Sequence, residues 1–120
     1  MVAISTLRAE VMTSRSASGL AELDAPGSVA LAQDTAVLER LAASGQAWEG
    51  VALTATSART VTHTATRATV DAVVGTAAYR VVDASGRAQR RPAVGGQELR
   101  FELVWSAGRW RVESITSVGL

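Results

Sequence analysis

Leu99-Arg100-Phe101-Glu102-Leu103-Val104-Trp105-Ser106-Ala107-Gly108-Arg109-Trp110-Arg111-Val112 is the stretch that decides the fold. Leu99, Phe101, Leu103 and Trp105 alternate with Arg100, Glu102 and Val104, the period of a half-buried strand. Ser106-Ala107-Gly108-Arg109 then reads as a tight hairpin, with glycine where a left-handed backbone is needed. Trp110, Val112 and Ile115 resume the apolar face on the return strand, and Trp105 and Trp110 flank the turn as core residues.

Upstream of this hairpin the same period recurs twice. A strand is expected over about Gly50 to His63, with Val51, Leu53, Ala55 and Val61 on one face and Thr54, Thr56, Thr60 and Thr62 on the other. A long strand follows over about Ala68 to Asp83. Its interior Gly75 marks a bulge where the apolar set changes parity before Tyr79. Asp83-Ala84-Ser85-Gly86 is a turn, and Arg87 to Gln97, with Pro92 and Gly95-Gly96, reads as one long loop before the strand Glu98 to Ser106.

Before Gly50 the period is helical. Ile4, Leu7, Val11 and Met12 make one stripe of a helix over about Val2 to Ser16, ended by Ser16, Ser18 and Gly19, with Leu20 and Leu23 in a further short turn. Asp24-Ala25-Pro26-Gly27-Ser28 is a break. A second helix over about Val29 to Ser44 carries Leu31, Val37, Leu38 and Leu41 on its stripe and Asp34, Glu39 and Arg40 as charges. Ser28 or Asp34 caps its start, and Gly45 closes it. The expected class is therefore α+β: N-terminal helices packed on a curved four-stranded antiparallel sheet, all 120 residues in one domain.

Composition bounds function mainly by exclusion. The absence of cysteine removes disulfides, thiolate metal sites and cysteine nucleophiles. A net charge of +1 gives no electrostatic warrant for nucleic acid as a partner, and no apolar run approaches the ~18 residues of a membrane span. All 12 basic residues are arginine, and lysine and asparagine are absent, a bias that fits a high-GC bacterium such as an actinobacterium. Arg8, Glu10 and Arg15 interrupt the N-terminal apolar positions, so no signal peptide is read there. The chain starts inside an amphipathic pattern, which leaves open both an extracytoplasmic domain cut from an upstream anchor and a cytoplasmic one.

Ala25-Pro26-Gly27-Ser28 before the second long helix, Tyr79-Arg80-Val81-Val82-Asp83, and the terminal hairpin Phe101 to Val112 together make the chain resemble the nuclear transport factor 2-like superfamily, the cone-shaped, cystatin-like α+β fold. The local pattern also resembles, less specifically, C-terminal domains of membrane-anchored actinobacterial envelope proteins, which implies an interaction or assembly role. Enzymes of the superfamily hold a carboxylate, tyrosine or histidine inside the cone. The nearest pair for an isomerase-like site is Asp71 and Tyr79, and the paired histidines of dehydratase-like members are missing because His63 is alone.

No residue is thus assigned a catalytic role, and no metal or cofactor is expected. Ligand-binding candidates are Tyr79, Asp71, Trp48 and His63, each of which has a packing or surface reading beside the functional one. Trp48 precedes the first strand as a lid, contact or junction-covering residue. Arg87, Arg90 and Arg91 are the basic cluster, either solvated or a contact for an acidic partner. A protein partner or a homodimer, paired through the threonine face and Val104, is the first expectation. A small apolar ligand inside the cone is the alternative.

Overall fold

The computed structural model describes residues 2–14 and 17–118. Three helices lead the chain: α1 (Val2–Ser14), α2 (Ala17–Leu23) and α3 (Val29–Ser44). Seven strands follow: β1 (Ala47–Glu49), β2 (Leu53–His63), β3 (Arg67–Thr76), β4 (Tyr79–Val82), β5 (Ala88–Arg91), β6 (Val94–Ser106) and β7 (Arg109–Ser117). The protein is α+β, as expected, but it has two antiparallel sheets. The larger has the order β2-β3-β6-β7 and the smaller β1-β4-β5.

The helices form for the anticipated reasons. The Ser28 hydroxyl accepts from the Leu31 N–H at 3.0 Å, so Ser28 is the N-cap of α3, and Gly45 closes the helix at φ 68°. Asp34, the other expected cap, points into the interior instead. Leu20 and Leu23 belong to a helix of seven residues rather than a single turn, because both side chains are buried. The expected end of the first helix at Arg15 and Ser16 lies outside the described residues.

In the large sheet, Ala68, Val70, Ala72 and Val74 of β3 join Phe101 and Leu103 of β6 and Val112 of β7 in one core, with Leu23 and Ala30 packed on them. Two bulges in β2, at Thr56 and Val61, break the continuous threonine face that strict alternation predicted. They turn Thr60 to the same face as Val70, and Val61 is exposed. The hairpin turn between β6 and β7 consists of Ala107 and Gly108, both at positive φ, as a two-residue type I′ turn requires. Trp105 opposite Trp110 is 46% exposed, so it is not core.

The pairing of β3 with β6 shifts register beside Gly75, between Val74 and Thr76, but the extra residue lies on β6, at Gly95-Gly96, and Gly75 itself pairs regularly with Thr54 of β2. The change of parity is larger than a bulge, however. The chain breaks at Ala77 and Ala78, and Tyr79–Val82 pairs with β1 and β5 in the small sheet. The segment 87–97, expected as a loop, holds β5 and the first residues of β6. A second core of Val11, Met12, Leu20, Leu38 and Leu41, with Trp48 partly buried against it, ties the small sheet to the helices.

Candidate functional site

Asp24 ends α2 beside β7, where the Ala25 N–H donates to the Val112 carbonyl at 2.8 Å. Asp24 is 0% exposed and no donor faces either carboxyl oxygen. Burial chiefly, and then the neighbouring Asp34 carboxyl, push its pKa from 3.8 up to about 8. Its carboxyl is therefore held mainly in the neutral form at pH 7. Arg8 supplies the compensating charge, donating to both Asp34 oxygens at 2.8 and 3.0 Å.

Arg8 and Asp34 also form part of the wall of a cavity of about 310 Å³ between α1, α3 and the large sheet, with Ile4, Leu53, Val74 and Phe101 as apolar lining. Asp24 lies outside that lining. Sequence reasoning missed this trio. The signal was present: Asp34 stands between Leu31 and Leu38 on the apolar stripe of α3, and Arg8 stands between Ile4 and Met12 on that of α1.

Asp71 is on the opposite face of β3 from Val70 and Ala72, away from the cavity. It is nonetheless only 6% exposed, because arginines cover it. Arg100 donates to both carboxylate oxygens at 2.8 and 3.0 Å, and Arg59 stands 3.5 Å away. The Arg100 hydrogen bonds hold the Asp71 carboxyl below its ordinary range. Next to it Thr69 donates to Glu102 at 2.7 Å, and Arg67 pairs with Glu113 at 2.9 Å. The outer face of the large sheet is thus internally neutralised, which suits solvent better than the apolar sheet-to-sheet dimer expected there. Asp71 and Tyr79, in different sheets, do not meet in one interior site.

The small sheet gathers most of the other candidates. Register puts Trp48 opposite Val81 and Tyr79 opposite Arg91, so Trp48, Tyr79, Val81, Gln89 and Arg91 share a face. The Trp48 and Tyr79 rings lie 5.6 Å apart and tilted by 56°. With Val37, Arg40 and Leu41 of α3 they line a groove of about 320 Å³. The other face carries Glu49, Arg80 and Arg90 beside a shallower depression of about 510 Å³. Arg80 is spent on Glu49 at 2.6 Å. Among the described residues, no carboxylate lies within ion-pair distance of Arg40, Arg87, Arg90 or Arg91.

Arg87 stands at the far end of β5, after the turn in which the Asp83 carboxylate accepts from the Ser85 hydroxyl at 2.6 Å and from the Ser85 and Arg87 N–H groups. His63 is exposed at the end of β2, its ring 6.2 Å from that of Trp110, and is not brought to either groove. Arg40 was read only as a surface charge of α3. No three His, Asp or Glu side chains cluster as a metal site, and no helix is long and apolar enough to cross a membrane, among the described residues.

No known family profile matches the sequence, and no curated protein does. Among solved structures, the chain is similar to the crystal structure of the intermembrane space region of the chloroplast protein ARC6. The two superpose with a TM-score of 0.65 at 16% identity, over 97% of this chain and 88% of that one. At that identity the likeness is one of fold.

Proposed function

We propose that this chain is a non-enzymatic protein-interaction or assembly domain, from an actinobacterial envelope-associated protein and of nuclear transport factor 2-like kind, whose contact surface is the small-sheet end. The observation that carries it is that Arg40 and Arg91 line the Trp48–Tyr79 groove, and Arg90 the opposite face of the same sheet, without acidic partners, whereas Arg59, Arg67 and Arg100 of the large sheet are paired. Aromatic surface flanked by uncommitted guanidinium groups is the composition of interface anchors, and its charge selects an acidic partner. The fold likeness to the intermembrane space region of a chloroplast protein accords with this role. Titrating the labelled chain with capped hexaglutamate should shift the amide and indole signals of β1, β4 and β5. Shifts confined to the outer face of the large sheet would count against it.

A second reading has its own observation. The 310 Å³ interior cavity, apolar with an ion-paired wall, has room for a small apolar ligand bearing one hydrogen-bonding group. In that reading Arg8 and Asp34, not Asp71 and Tyr79, contact it. A solvatochromic apolar dye whose binding is unaffected by Phe101→Trp, which fills the cavity, would exclude it.

A further inference from the structure

β5 is the outer strand of the small sheet, and all four of its residues are exposed. Its hydrogen-bonding directions follow from the turn that precedes it. The Asp83 N–H donates to the Arg87 carbonyl at 3.0 Å, so that pair is a hydrogen-bonded one. Antiparallel pairs alternate, which makes Gln89–Val81 and Arg91–Tyr79 hydrogen-bonded and leaves Ala88–Val82 and Arg90–Arg80 not. The N–H and C=O groups of Ala88 and Arg90 therefore point away from β4, toward the free edge.

An unpaired edge is a template for another strand, and proteins blunt such edges with charge and proline. Here the charge is Arg87, Arg90 and Arg91, and Pro92 ends the strand. Like or neutral edges are repelled or unrewarded, but an acidic one is not. The two faces of the small sheet then complete the match. Successive side chains of an added strand point to alternate faces. One face offers Arg91 beside the Trp48–Tyr79 groove, and the other offers Arg90, so carboxylates find a free guanidinium on both sides.

We infer that the β5 edge captures an extended, acidic segment of a partner protein by strand addition, through the outward N–H and C=O groups of Ala88 and Arg90, with its carboxylates paired to Arg90 and Arg91. The inference rests on the contact surface proposed above and adds the mode of capture and the chemistry of the partner. A second copy of this chain fits less well, since its own β5 brings the same positive charge.

Two capped seven-residue peptides of equal charge test it on the full chain: one has the order Glu-Glu-Val-Glu-Glu-Val-Glu, which as a strand sends carboxylates to both faces, and the other has proline in place of each valine and cannot form a strand. The first should bind, slow amide exchange at Ala88 and Arg90, and bind about tenfold more tightly than the second, the worth of one or two well-placed hydrogen bonds. Ala88→Pro removes an outward N–H at an edge position that tolerates proline and leaves the charge unchanged. It should lower affinity for the valine peptide about tenfold. If Ala88→Pro binds as tightly as the parent, or if the Ala88 and Arg90 amides exchange no more slowly in the complex, strand addition is overturned while the contact surface stands. Should Ala88→Pro fail to fold, amide exchange on the unsubstituted chain decides. Binding of either peptide by Arg90→Glu/Arg91→Glu as tightly as by the parent overturns the contact surface itself.

Discussion

The two sheets use the same residue types to opposite ends. On the large sheet Arg59 and Arg100 cover Asp71, and Arg67 meets Glu113, while inside it Arg8 meets Asp34; these guanidinium groups are committed within the fold. On the small sheet Arg90 and Arg91 face solvent, and Trp48 and Tyr79 are half-buried beside a groove rather than sealed in the core. Charge and aromatic surface are structural at one end and available at the other. Stability and pH dependence should therefore reside in the large sheet, and recognition in the small one.

The largest effect that sharpens this contrast is a core truncation. Phe101→Ala, at a site 3% exposed, should cost about 3–5 kcal/mol in urea unfolding. Second is Asp24. Its folded pKa is raised, so the native state keeps a proton that the unfolded chain loses above pH 3.8. Stability should therefore fall as pH rises from about 4 to about 8, at up to about 1.4 kcal/mol per pH unit from this group. Asp24→Asn should flatten that slope in pH-dependent denaturation. Asp71 has the reverse sign: its folded pKa is lowered, so its contribution is present above its ordinary value of 3.8 and is lost as pH falls below it. Asp71→Asn should remove that acid-limb loss and leave the slope between pH 4 and 8 unchanged.

Effects at the small sheet are smaller on stability. Trp48→Ala, at a half-buried site, should cost about 1–3 kcal/mol. Arg90→Glu/Arg91→Glu should stay within about 0.5 kcal/mol of the parent, as exposed substitutions without partners do. A large loss from this pair would break the contrast, because it would mean these arginines are structural too.

The same contrast explains what the sequence disclosed. The strands of the large sheet are long enough to show their period, and β6 and β7 were legible from Leu99 to Val112 because one face is buried along nearly all of it. β1, β4 and β5 have three or four residues each, too few for an alternation to register, so Arg87 to Gln97 read as a loop. Gly75 pointed to the place of the irregularity, but the extra residue is on the facing strand β6, and nothing pointed to the transfer of Tyr79 into another sheet, which depends on β1 as partner. Bulges at Thr56 and Val61 defeated strict alternation in β2. Among the candidates, Trp48, Tyr79, Arg90 and Arg91 meet only through β1–β4–β5 pairing, which no spacing in the sequence encodes. The buried acids were hidden by habit of reading charge as surface. Arg8 and Asp34 interrupt two apolar stripes with opposite signs, a pattern that signals a buried pair once both helices are laid on one core.

The most direct test of the central claim compares charge reversal at the two ends. The glutamate–valine peptide with carboxylates on both faces is titrated calorimetrically, at low ionic strength where screening is weak, into the parent chain, into Arg90→Glu/Arg91→Glu, and into Arg67→Glu on the large sheet. Binding should be lost in the first variant and retained in the second. Retention in the first, or equal loss in both, would contradict the assignment of recognition to the small sheet.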